Sequence, residues 1–356
     1  MLKRIEQVRN TFKDHKIDAF LITSSTNRRY MTGFTGTAGI ALITENEALF
    51  ITDFRYVDQA SEQCEGYTIV KHEGAIAEAI SAELRRLGVK RLAFEQEHVT
   101  FINYRLFQEK FEGIELVPVS GVIEKIRMIK DEEEISLIRQ AVAIVDHTYE
   151  HILKFVKPGM REIDVANELE FHMRKQGASG SSFSIIVASG YRSAFPHGVA
   201  SEKIIEQGDF VTLDFGAIYK GYISDMTRTF AMGEPNDKLK EIYDVCLQAQ
   251  LLGVEQIKAG ITGKQADAIC RDYISSKGYG EYFGHSTGHA IGLDVHEAPG
   301  LSIKTEVVLE PGMVVTVEPG IYLPGIGGVR IEDDIVITAT GNEILTQSNK
   351  ELLIIE

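Results

Sequence analysis

Apolar residues at Leu2, Ile5, Val8 and Phe12 recur at helical spacing and give way to the run AFLIT (Ala19 to Thr23), which predicts a strand. GIALIT and ALFIT follow, joined by Glu45-Asn46-Glu47, and read as a hairpin. Beyond them YTIV, the helical GAIAEAISAELRRLG, the strand RLAFE, a helix around Phe101 to Phe111 and the strand IELVPV continue the alternation. Strands alternating with helices predict an α/β layer of about 120 residues. Gly33, Gly36 and Gly39 follow no GxGxxG spacing and precede a strand, so nucleotide binding is not expected. Asn27, Arg28, Arg29 and Tyr30, and the TDFRY around Asp53 to Tyr56, read as polar loop anchors or interface residues at strand ends.

The pattern changes after Val122. Asp131 and Glu134 form a capping-box signature, and Ile135, Ile138, Val142, Val145, Tyr149 and Ile152 mark one face of a helix about 25 residues long. A boundary near Arg127 divides the chain into residues 1–126 and 127–356. Two similar stretches then occur. Lys157-Pro-Gly-Met leads into a helix with Val165, Leu169 and Met173 on one face, stopped by Gly177. Lys258-Ala-Gly-Ile leads into a helix with Ala266, Cys270 and Ile274, stopped by Gly278. The shared register predicts two related α/β halves meeting about a pseudo-twofold axis, with a site at the junction drawing groups from both.

FVTLDFGAIYKGYISDMTRTF, from Phe210 to Phe230, predicts two antiparallel strands around a Lys-Gly turn. Val211, Leu213 and Phe215 alternate with Thr212, Asp214 and Gly216. A fold-back centred between Tyr219 and Lys220 sets Asp214 opposite Asp225, with both carboxylates on one face. Cross-strand partners lie about 4.5–5.5 Å apart at Cβ, where like charges destabilise a sheet. A shared proton, exposure to water or a bound cation could each compensate. The other residues of that face, Thr212, Gly216, Ile223 and Thr227, are small or uncharged, which favours a cation.

Further ligands lie downstream. GHSTGHAIGLDVHE holds His285, His289 and His296, and its glycines disfavour a helix, so a helical zinc motif is not expected. MVVTVEP ends at Glu318, and GVRIEDDIVI carries Glu332 among apolar neighbours, so both carboxylates are predicted to face inward. Arg330 could pair with one of them. Asp214, Asp225, His289, Glu318 and Glu332 together place four carboxylates and one imidazole in reach of two divalent cations. Oxygen-rich ligation with one nitrogen favours Mn²⁺ first, then Co²⁺, Fe²⁺ or Zn²⁺. Two such ions ~3.5–4 Å apart can acidify a water and clamp a carbonyl oxygen.

Composition narrows the remaining classes. A net charge of −15 argues against nucleic acid or an anionic membrane as partner. The three cysteines form no CxxC pair, and the start MLKRIEQVRN has no apolar core of signal length. A cytoplasmic protein with no membrane segment is expected.

LDFGAIYKGYISDMTRTF, GHSTGHAIGLDVHE, the EPG at Glu318 and VRIEDD at Glu332 resemble the motifs of the pita-bread metallopeptidases, which include aminopeptidase P, prolidase and methionine aminopeptidase. The similarity covers about residues 180 to 340. The first 125 residues resemble the creatinase-type N-terminal domain of the Xaa-Pro branch, and FPHG at Phe195 to Gly198 is also similar to that branch. The resemblance implies an α+β protein, a creatinase-like α/β domain followed by a pseudo-twofold pita-bread catalytic domain. It implies that Asp214 chelates one metal, that His289 and Glu318 bind a second, and that Asp225 and Glu332 bridge. Glu318 would also be the general acid/base. His197 and His296 would orient substrate and stabilise the tetrahedral intermediate, His285 would lie near the proline side, and Arg330 would fix a metal-bound carboxylate. The implied activity is hydrolysis of Xaa-Pro bonds at a peptide N-terminus, with a dipeptidase favoured over an aminopeptidase P acting on longer peptides. A homodimer is expected. A metal-free creatinase-like amidinohydrolase or a non-catalytic binding module should lack several of these ligands, and this chain keeps all five.

Overall fold

The computed structural model describes residues 1–356. The chain divides into two compact units, Met1–Arg127 and Met128–Glu356. No helix is long and apolar enough to cross a membrane.

The first unit opens with helices α1 (Leu2–Arg9) and α2 (Phe12–His15). Its sheet comprises β1 (Ala19–Ile22), β2 (Ile40–Thr44), β3 (Ala48–Thr52), β4 (Thr68–Lys71), β5 (Arg91–Glu95) and β6 (Glu115–Val119), in the order β4-β3-β2-β1-β5-β6. β1 to β3 pair antiparallel as the hairpin pattern predicts, and the remaining pairings are parallel. The helices α3 (Ser25–Thr32), α4 (Val57–Gln63), α5 (Ile76–Arg86), α6 (Phe101–Lys110) and α7 (Val122–Arg127) complete the layer. Here α3 corrects the sequence reading, because Asn27, Arg28, Arg29 and Tyr30 lie on a helix and not at a strand end. Ser24 caps it by accepting from the Asn27 N–H at 3.3 Å. Buried Asn27 donates to Glu95, and the two terminal nitrogens of buried Arg28 donate to the carbonyls of Gly36 and Gly39, so these groups are held by partners inside the fold.

The second unit is built twice over. In its first half α8 (Glu132–Phe155), with the capping box of Asp131 and Glu134 in place, and α9 (Glu162–Lys175) precede β7 (Gly180–Ser181), β8 (Ile186–Ser189), β9 (Asp209–Phe215), β10 (Ala217–Tyr219), β11 (Tyr222–Ile223) and β12 (Met226–Met232). In its second half α10 (Asp237–Gln256) and α11 (Gly263–Ser276) precede β13 (Gly288–Ala290), β14 (Glu297–Leu301), β15 (Val314–Val317), β16 (Gly320–Leu323), β17 (Gly327–Arg330), β18 (Asp333–Ile337) and β19 (Asn342–Ile344). A short β20 (Ile354–Ile355) returns to β12, giving the sheets β20-β12-β9-β8 and β14-β13-β15-β18-β19. The repeat extends to the backbone. Gly159 and Gly260 both have φ near +90° (+91° and +90°), and their N–H groups donate to Ile205 O and Leu309 O.

Each helix pair buries its apolar face on its own sheet. Val145, Tyr149, Val165, Leu169 and Met173 pack against Val187, Val211, Leu213, Phe215 and Phe230. Ile242, Cys246, Cys270 and Ile274 pack against Val315, Val317, Val329 and Ile335. Because strand side chains alternate, committing Val211, Leu213 and Phe215 to the helices turns Thr212 and Asp214 the other way, and Val315 and Val317 do the same for Thr316. These outward faces of the two sheets meet each other.

Two strand predictions are corrected. The hairpin turns at Lys220-Gly221, not one residue earlier, because a two-residue turn of this kind needs positive φ at both central positions (+47° and +90°). The register therefore pairs Asp214 with Thr227 and Phe215 with Met226, so Asp225 is a diagonal neighbour of Asp214. The segment GVRIEDDIVI is not one strand: β17 pairs with β16 and β18 with β15, and the chain switches sheets at Ile331-Glu332.

Gly159→Ala and Gly260→Ala place a Cβ where no other atom lies within 4 Å, so only the left-handed backbone opposes them. Each is expected to lower stability by about 1–2 kcal/mol, by similar amounts in urea titrations; a cost confined to one of them would contradict the backbone equivalence of the halves.

Candidate metal centre

The seam between the two sheets is lined by hydroxyls that aim the acidic groups. The Thr227 hydroxyl donates to Glu332 Oε2 at 2.6 Å, and the Glu332 N–H donates to Thr227 O. On the other sheet the Thr316 hydroxyl donates to Glu318 Oε1 at 3.0 Å and accepts the His289 N–H at 3.1 Å. Glu318 and Glu332 each stand where a strand ends, which frees their side chains from the sheet faces.

Asp225, His289 and Glu332 can bring one ligand atom each within 4.8 Å of one another. His289 Nε2 is 3.7 Å from Asp225 Oδ2 and 3.3 Å from Glu318 Oε1. Its Nδ1 lies 3.2 Å from Ala290 O, which can only accept, so in the neutral ring the proton sits on Nδ1 and Nε2 carries the lone pair. Asp214 borders the same cavity, but one of its oxygens is ion-paired with Arg330. Arg330 thus pairs with neither Glu318 nor Glu332. Its guanidinium also donates to Thr227 Oγ1, Pro196 O and the Tyr322 hydroxyl, and the same hydroxyl lies 2.9 Å from His285 Nε2.

The electrostatics call for positive charge. Burial, reinforced by Glu332 and Asp214, pushes the Asp225 carboxyl well above its usual range; burial and then Glu318 do the same to Glu332. Asp214 is raised by burial, against the pull of Arg330. Burial opposes the charge of Glu318 as well, but the His289 hydrogen bond and charge outweigh it and hold that carboxyl at about 2. His289 is the converse: burial lowers it, and Glu318 raises it further. Oδ1 of Asp214 and Oδ1 of Asp225 are buried without a hydrogen-bond partner, the condition that a cation relieves. The donor set of carboxylates with one imidazole fits a hard or borderline divalent ion.

A cavity of about 640 Å³ opens over this cluster, and His197, His285 and His296 all border it. His296 stacks edge-on against His289 with ring centres 4.4 Å apart, and burial followed by the His289 charge lowers its pKa. Burial lowers His285 too. Tyr322, Thr316 and Asp334 were not singled out from the sequence. Asp334, fully buried, accepts the Asp225 N–H at 3.0 Å. Tyr322 lies on β16, a strand the sequence reading passed over; its aromatic-rich IYL after Pro-Gly was the available signal.

The profile of metallopeptidase family M24 matches residues 136–339, more than half of the chain, and that of the creatinase/prolidase N-terminal domain matches residues 4–129. The chain belongs to metallopeptidase family M24. This M24 enzyme is 60% identical to a solved Xaa-Pro dipeptidase from Bacillus anthracis, with a TM-score of 0.98 and 99% of each chain covered. It is 41% identical to the Xaa-Pro dipeptidase of Pyrococcus horikoshii over 99% of both chains. A solved X-Pro aminopeptidase from Thermotoga maritima is 40% identical, with a TM-score of 0.93 and 99% of each chain covered. Family M24 enzymes use divalent metals, in keeping with the cluster described above.

The carboxyls of Asp225 and Glu332 have folded-state pKa values above their unfolded ones, so their contribution to stability is full below about pH 4 and is lost as pH rises through the raised values. Glu318 has the opposite sign, and its contribution is lost only as pH falls towards about 2. Metal-stripped M24 enzyme should therefore lose thermal stability from weakly acidic to neutral pH, and divalent cation added at neutral pH should restore it; a flat melting profile without cation would contradict the burial of unpaired carboxylates.

Proposed function

We propose that the protein is an Xaa-Pro dipeptidase whose metal ions are held by Asp214, Asp225, His289, Glu318 and Glu332. The observation that carries the reading is the cavity itself, which sets His197, His285 and His296 around the acidic cluster and walls it with Phe183, Ile186 and Val295. Those apolar walls suit a pyrrolidine ring, and the names of the Bacillus anthracis and Pyrococcus horikoshii relatives point to the same substrate. The Thermotoga maritima relative supports the second reading, an Xaa-Pro aminopeptidase acting on longer peptides.

Bound divalent ions would acidify a water and polarise the scissile carbonyl. The chain's own groups do the rest. An Xaa-Pro bond is a tertiary amide whose nitrogen must gain a proton before it leaves. Glu318, held as a carboxylate by Thr316 and His289, takes a proton from the attacking water and passes it to that nitrogen. His197 and His296 orient the substrate and stabilise the tetrahedral intermediate, with His285 on the proline side. Arg330 keeps one Asp214 oxygen engaged and so fixes the other towards the ions. Two Mn²⁺ ions, a homodimer, and an N-terminal domain of residues 1–126 serving a catalytic domain of 127–356 complete the reading. A cytoplasmic setting is supported by Cys64, Cys246 and Cys270, all buried and unpaired.

Product analysis on Ala-Pro against Ala-Pro-Ala tests the substrate. Proline released from the dipeptide, with the tripeptide left intact, is expected, and free Ala from the tripeptide would favour the aminopeptidase. Asp225→Asn should abolish turnover while the folded state survives; elemental analysis showing full metal content in an active variant would remove Asp225 from the ligand set.

A further inference from the structure

Glu162 begins α9 and is fully buried, yet it stands outside the metal cluster. Its Oε1 accepts the Ser189 N–H at 2.8 Å and the Ser189 hydroxyl at 2.9 Å. Its Oε2 accepts the Ser201 N–H at 3.1 Å and the Ser201 hydroxyl at 2.7 Å, and is ion-paired with Arg192. One carboxylate therefore ties both ends of the segment 189–201. His197 lies on that segment, facing the cavity, and Arg192 reaches on to Val199 O at 2.8 Å, two residues beyond it.

Two observations separate this arrangement from ordinary packing. Tyr191, Phe195 and Val199 are 54%, 49% and 49% exposed, so apart from the buried Ala194 apolar packing does little to hold the segment, which leans on polar ties: those of Glu162, the Gly328 N–H on Ser193 and the Arg330 bond to Pro196 O. The second half supplies an internal control. At the start of α9 the N–H groups of Glu162 and Ile163 donate to Lys203 O and Ser201 O; at the start of α11 those of Gly263 and Lys264 donate to Val307 O and Thr305 O. The same helix-to-strand docking forms at Gly263 with no side chain at all. Nor does the helix dipole demand Glu162, since Asp164 also stands in the first turn.

We infer that Glu162 is a positioning residue that sets the place of His197 over the bound peptide by clamping residues 189–201. The inference rests on the reading of the cavity as the Xaa-Pro site. Replacing the carboxylate with an amide leaves at least one donor of Ser189, Arg192 or Ser201 unpaired in a buried place, and the segment shifts to find water. Small displacements of a group that meets the transition state are costly in rate.

The test is a double-mutant cycle on metal-loaded enzyme with Ala-Pro, with melting temperature and metal content measured in parallel. Glu162→Gln should lower kcat/KM about 10- to 100-fold, His197→Ala about 10²- to 10⁴-fold. Adding Glu162→Gln to His197→Ala should cost less than about twofold more, because the clamp acts through the imidazole. Equal losses in both backgrounds, or activity falling only in step with metal content, would overturn the proposal. If Glu162→Gln does not fold, the paired change Ser189→Ala with Ser201→Ala carries the same cycle and expectation. A fully active His197→Ala would instead sink the role of His197 in the peptidase reading, a failure recognisable before any Glu162 variant is measured.

Discussion

Mutual repulsion among carboxylates sealed between two sheets is the constraint on which the second unit depends. Packing each helix pair onto its own sheet turns Asp214 inward from one half, and Glu318 and Glu332 stand at strand ends of the other. Asp225 joins them from the end of the hairpin. Arg330 satisfies one oxygen of Asp214, His289 engages Glu318 and Thr227 donates to Glu332, but Oδ1 of Asp214 and Oδ1 of Asp225 have no donor in the protein. A hydrophobic seam would be more stable on its own account. That the seam is acidic is intelligible only if cations complete it, and the threonines along it prepare the geometry they enter.

The surrounding shell shows how the chain holds such a cluster still. Buried Arg228 donates to Asp333 Oδ1 at 2.7 Å and to the Glu332 carbonyl, while Lys350 and Gln250 meet the other oxygen of Asp333. Asp333 is thereby a fully neutralised carboxylate directly beside Glu332, which is not. Adjacent residues on one backbone have opposite fates because one faces cationic side chains and the other faces the cavity. The same division separates Glu162, with its full set of donors, from Asp225.

Much of this was legible in the sequence where the signal is local. The helices repeat every three to four residues, the capping box of Asp131 and Glu134 is four residues long, and the glycines of the repeat mark left-handed turns that few other residues adopt. Local signals also selected acidic and histidine candidates that all border one cavity. What escaped depends on partners distant along the chain. Asn27 and Arg28 look like surface residues until Glu95 and the Gly36 and Gly39 carbonyls are found beside them. The change of sheet at Ile331-Glu332 has no proline or glycine to announce it. The Lys-Gly turn is legible but its centring is not: the fold-back lies between Lys220 and Gly221, one residue past the predicted centre, and Asp214 accordingly meets Thr227 instead of Asp225.

The division of the acidic cluster between the halves has a consequence for biosynthesis. A ribosome delivers Asp214 and Asp225 first, while His289, Glu318 and Glu332 are still to be made. Domains assemble largely as their chain emerges, so the nascent hairpin must keep its two acids hydrated or protonated until the later strands arrive. The seam therefore closes only once the whole second unit has been made, and a chain interrupted before Glu332 lacks the full set of groups that face Asp214 and Asp225.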